Sequence, residues 1–88
     1  MDADAIIHGL QAASMAAQAL APLAGSAGLD TGAVGRLTAA TAEIAANIVE
    51  RVDEGKLVLS SNDETFVRET AAKLAKVNDD LAARIALS

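Results

Sequence analysis

Eighty-eight residues with no cysteine and a net charge of −5 make one domain at most, residues 1–88, and exclude disulfide and thiolate chemistry. Twelve acidic residues against seven basic ones, with no Trp or Tyr, argue against general nucleic-acid binding, which needs cations for phosphates and aromatic faces for bases. The apolar fraction of 52% includes 22 alanines and a single aromatic residue, Phe66, so it buries less area than the figure suggests.

The first predicted helix covers residues 2–21. Ile6, Leu10, Ala13, Ala17, Leu20 and Ala24 recur at spacings of three and four and share a face. His8, Gln11, Met15 and Gln18 fall on another. Asp2 and Asp4 suit the positive end of the helix dipole, and Pro22 ends or kinks the helix. From Ala5 to Leu29 the only ionisable side chain is His8, which invites a membrane-spanning reading. The polar residues, Pro22, the glycines and the abundance of alanine argue against it. Asp2 and Asp4 stand where the basic region of a signal peptide belongs, which argues against one; with no cysteine in the chain, a cytoplasmic home is the default expectation. A membrane-surface role would need Lys, Arg or Trp on this helix, and it has none.

Residues 25–32, GSAGLDTG, read as a loop, with Asp30 or Thr31 as the N-cap of a second helix over 31–54. Val34, Leu37, Thr41, Ile44 and Ile48 form its heptad-like seam. Gly55 is the natural stop. The segment Gly25 to Arg36 is the candidate ligand site. Helix N-termini offer free N–H groups to anions and glycines permit close approach, so Gly28, Thr31, Gly32 and Arg36 are the expected contacts. Against this stand the absence of a P-loop lysine and the presence of Asp30, which repels anions. The alternative is an interhelical loop whose glycines serve turns.

Leu57-Val58-Leu59 crosses from Gly55 to the next helix in extended form. It is either an apolar clasp closing one end of the helices or an edge buried between subunits. With Ile44 and Ile48, these three residues are the expected interface set. The third helix covers 62–86, opened by a capping box at Ser61 and Glu64. Val67, Ala71, Leu74, Asn78, Leu81 and Ile85 line one face. Asn78 either selects register or lies at the margin of that stripe. Glu64–Arg68, Glu69–Lys73, Asp80–Arg84 and Lys76–Asp80 are i,i+4 pairs.

One histidine and no cysteine give no metal-ligand spacing. No nucleophile stands beside a base and an orienting partner. Asp4, one turn before His8, makes either a carboxylate–imidazole pair or an ordinary helix-surface contact. No enzyme activity, metal or cofactor is expected. The run GKLVLSSNDETFVRETAAKLAKVNDDLAARI, residues 55–85, resembles the endings of small helical proteins encoded by bacteriophages. The resemblance implies a phage-like origin and a stoichiometric, non-catalytic role, and some such proteins are oligomers that sequester signalling nucleotides. The expectation is an all-α protein of about three helices forming an antiparallel bundle within a homo-oligomer. Its partner would be a host protein or, in the alternative reading, a small anionic ligand held between subunits, with Arg51, Lys56, Arg68 or Lys73 adding charge.

Overall fold

A computed structural model describes residues 3–26 and 28–87. Asp2 and the side chain of Ile85, both invoked above, lie outside what is described. The regular structure consists of α1 (Ala3–Leu20), a 3-10 turn (Ala21–Leu23), α2 (Thr31–Asp53) and α3 (Ser61–Leu87), with no strand among the described residues.

Each helix end has a local cause. Proline in the second position of the 3-10 turn stops α1 because it has no N–H to give. Asp30 caps α2: its carboxylate accepts the Gly32 N–H at 2.9 Å. At the other end of α2, Gly55 has φ +75°. Lys56 N–H reaches back to the Arg51 carbonyl at 2.8 Å and Gly55 N–H to that of Val52 at 3.1 Å, which is a Schellman closure.

The cap of α3 corrects the sequence reading by one residue. Ser60, not Ser61, accepts the Asp63 N–H through its hydroxyl at 3.2 Å, and Glu64 N–H donates to the Ser60 carbonyl at 2.9 Å. Two adjacent serines are equivalent as sequence, and only the path of the connector separates them. Glu64, relieved of capping, pairs with Arg68 at 3.0 Å. Ser60→Ala is therefore expected to cost about 1 kcal/mol and Ser61→Ala almost nothing, as read from urea unfolding midpoints.

The buried faces are also rotated from those expected. In α1 the covered residues are Ile7, Leu10, Ser14 and Ala17, continued by Ala21. Ile6, Ala13 and Leu20 are only partly covered. A three-four pattern rich in alanine fits two neighbouring registers equally well, and the Ile6-Ile7 pair supports both. In α2 the covered residues are Val34, Thr38, Thr41, Ala45 and Ile48. Thr38 and Ala45 take the places expected for Leu37 and Ile44. Threonine can do this because its hydroxyl bonds within its own helix: Thr38 Oγ1 donates to the Val34 carbonyl at 2.9 Å and Thr41 Oγ1 to that of Leu37 at 2.7 Å. The Val34 carbonyl retains its helical partner without the Thr38 hydroxyl. Thr38→Val should therefore leave thermal stability within about 1 kcal/mol of the parent. In α3, Val67, Thr70, Leu74 and Leu81 are buried, and Asn78 is half-buried, at the margin of the stripe.

Two apolar clusters join the helices. Ile7 and Leu10 of α1 meet Ala45 and Ile48 of α2 and Val67 of α3. Ala21, Val34 and Leu81 meet at the opposite end. The first gathers the start of α1, the end of α2 and the start of α3; the second gathers the remaining ends. Leu57 and Leu59 pack against the first cluster, whereas Val58 between them is 86% exposed. An extended run alternates its side chains, so the connector is a clasp at two positions and open at the third.

The molecule is elongated, 43 × 20 × 18 Å, with a radius of gyration of 13.9 Å where a compact chain of this length has about 12 Å. Its accessible surface of 5387 Å² exceeds the about 4,800 Å² typical of a folded monomer of this mass.

Candidate functional site

The glycine-rich segment before α2 folds on itself. Ser26 N–H and Oγ both donate to the Leu23 carbonyl, at 2.9 and 2.8 Å. Leu29 N–H donates to the Ser26 carbonyl at 2.9 Å and Gly25 N–H to that of Leu29 at 3.1 Å. Gly25, at φ +84°, also leaves room for Thr31: a Cβ there would sit 3.1 Å from Thr31 Oγ1. Gly28, at φ +78°, serves the turn and has open space around it.

Thr31, Gly32 and Arg36 do come together, at the first turn of α2. A Cβ on Gly32 would lie 3.4 Å from Asp30 Oδ1 and 3.5 Å from Arg36 Nη1, so the guanidinium folds back over Gly32. The anion already at this helix start is Asp30 itself, holding the Gly32 N–H. A ligand carboxylate or phosphate must displace it.

A larger concavity, 620 Å³, opens at the other end of α2. Asn47, Glu50, Arg51 and Glu54 line it from the helix, Lys56 and Leu57 from the connector. Lys56 Nζ lies 2.9 Å from Glu54. Two cations and two carboxylates leave the groove without net charge. Arg36 and Arg51 stand roughly 22 Å apart along the axis of α2, so one protomer does not focus both on a single small anion. Arg68 is engaged elsewhere, 2.6 Å from Asp53 and 3.0 Å from Glu64. Hydrogen bonds to Asp53 and then Glu64 raise its pKa above the usual arginine value. Lys73 does not line the groove.

Among the expected interface residues, Ile48 is buried in the protomer's own core and Leu57 and Leu59 pack against that core. Ile44 and Val58 remain open, 48% and 86% exposed. Asn47 and Glu50 were not singled out in the sequence. They are ordinary exposed helix residues, and only the returning connector makes them walls of a groove.

His8 is exposed. Among the described residues, no group of three or more His, Cys, Asp or Glu side chains is placed to hold a metal ion. No helix among them is long and apolar enough to cross a membrane. Comparison with protein-family models, curated proteins and solved structures gave no match.

Proposed function

We propose that this chain is a non-catalytic helical protein of phage-like origin. Its three helices form an antiparallel bundle that assembles with copies of itself and acts by binding a partner protein stoichiometrically, in the cytoplasm. The observation that carries this reading is Ile44. Ile44 is 48% exposed in mid-helix and continues a run with exposed Ala33 and Ala40 and half-covered Leu37, so the apolar surface there is contiguous and not a lone side chain. The surplus of accessible surface points the same way. Sedimentation equilibrium tests it: the expected result is a mass at least twice 8.9 kDa, and a monomer with full cooperative stability at every concentration would overturn it.

A second reading is favoured by the groove of 620 Å³. Assembly would bring Arg51 and Lys56 beside cations of another copy, making pockets for a small anionic ligand such as a nucleotide. A thermal-shift screen separates the readings. A true ligand at about 100 times its Kd stabilises by about 2.7 kcal/mol, and no shift with any nucleotide would leave protein–protein binding alone.

A further inference from the structure

The reading of the chain as self-associating can be carried to a surface and a register. Ala33, Leu37, Ala40 and Ile44 are spaced four, three and four along α2, the repeat of a helix–helix seam. Ala33, Ala40 and Ile44 are exposed and Leu37 is half-covered. This seam points away from α3, because Ala46 and Val49, on the other side of α2, line the cleft with Arg68 and Ala71 of α3. On α1, Gln18 lines the cleft with Val77, Asp80 and Arg84, so Gly9 and Ala16, on the opposite side of that helix, also face away from α3. Both are exposed, and a Cβ on Gly9 would meet nothing within 4 Å. Both helices therefore turn small residues away from α3, and on α2 the four seam positions from Ala33 to Ile44 carry no charge and two larger aliphatics, Leu37 and Ile44.

We propose that this side is covered by α2 of a second copy, lying antiparallel about a two-fold axis. The seam is complementary to itself in size and in charge. Setting Leu37 against Ala40 of the second copy puts Ala40 against its Leu37, Ile44 against its Ala33 and Ala33 against its Ile44. Every large side chain meets an alanine. The same register brings Arg36, on the flank of the seam, beside Glu43 of the second copy, and the two-fold repeats the pair. Both are exposed, and among the described residues no ion pair holds either of them. A two-fold contact requires this reciprocity, each residue i meeting j while j meets i. A parallel pairing would set the flank that carries Arg36 and Glu43 against the opposite flank of the second copy, where Arg36 faces Thr41 instead of a carboxylate, so it gains no such ion pair. A partner of unrelated sequence would have no reason to match the arginine-to-glutamate spacing of this helix.

The inference rests on the self-association proposed above, and the test separates the two. The full chain is compared with Ile44→Glu, with Arg36→Glu, with Glu43→Arg and with the double reversal Arg36→Glu/Glu43→Arg, each by sedimentation over a concentration series with circular dichroism as a folding control. The parent is expected to dimerise and Ile44→Glu to be monomeric with its helicity intact. Each single reversal should weaken the dimer about tenfold and the double reversal should restore it. A monomeric parent overturns both the inference and the reading beneath it. An assembled parent that Ile44→Glu leaves assembled overturns the surface alone. Failure of the double reversal to restore the dimer overturns the antiparallel register. If Ile44→Glu loses helicity, Ala40→Arg, at an exposed helical position, makes the same measurement.

Discussion

Leu74→Ala is expected to lose about 2–5 kcal/mol of folding stability, the range for truncating a buried leucine where the surroundings only partly collapse. Leu74 is fully covered in the middle of α3, in a core that is otherwise mostly alanine, valine and threonine. A core rich in short and β-branched side chains has few rotamers with which to fill vacated space, which places the loss toward the upper part of that range. A domain of this size has only several kcal/mol in hand, so the variant should be partly unfolded near room temperature. Urea unfolding followed by circular dichroism reads the effect as a lowered midpoint at unchanged slope. Met15→Ala, at a residue 73% exposed, is the control and should stay within about 0.5 kcal/mol of the parent. Equal losses at both positions would mean that the core is not where these contacts put it.

The connector gives the second large effect. Leu57→Ser and Leu59→Ser should each cost about 1–2 kcal/mol, because each removes an aliphatic side chain that is partly withdrawn from water against the first cluster. Val58→Ser, between them, should change the stability of the protomer by less than about 0.5 kcal/mol. This alternation is a direct measurement of the clasp. Three similar losses would mean that Val58 is also covered, as it would be if the connector lay between subunits. The double variant Leu57→Ser/Leu59→Ser should lose more than either single change. It should also free the end of α2, since the Schellman closure at Gly55 and the cap at Ser60 are the two anchors between which the connector is stretched.

Much of the architecture could be read from punctuation in the chain. Pro22, Asp30 and Gly55 each act through a backbone rule that needs no tertiary partner, and each ends or begins a helix where expected. Rotation about the helix axis was much less legible. Alanine tolerates either side of a helix boundary between core and solvent, so the choice between Ile6 and Ile7, or between Ile44 and Ala45, is settled by what the other helices bring. The threonines show the same limit from another direction. By composition Thr38 reads as a polar surface residue, yet a hydroxyl that bonds the preceding turn lets it go fully dry. Ser60 and Ser61 could not be ranked for the reason already given, that a cap is defined by chain direction. For the candidate site, the grouping of Thr31, Gly32 and Arg36 was legible because all three lie within two turns. The groove at the far end of α2 was not, because two of its six lining residues come from the connector that folds back against the helix.

The tie at the end of α1 bears on how the chain could come apart. Arg84 Nη2 donates to the Ala21 carbonyl at 3.1 Å, a cation at the negative end of a helix reaching across 63 positions. Beyond it, the fully covered side chains of α1 are Ile7, Leu10 and residues no larger than serine or alanine, with Ile6 and Leu20 partly covered against the two clusters, and it is joined to α2 through two glycines in left-handed backbone conformations. α2 and α3, by contrast, are joined by a seven-residue connector, residues 54–60, anchored by the closure at Gly55 and the cap at Ser60. Thermal fluctuation should therefore release the first helix as a body while α2 and α3 stay packed together, and its amides should trade protons with solvent soonest. A helix secured by so few fully covered large side chains has the mechanical make-up for changing places with its counterpart in a neighbouring molecule.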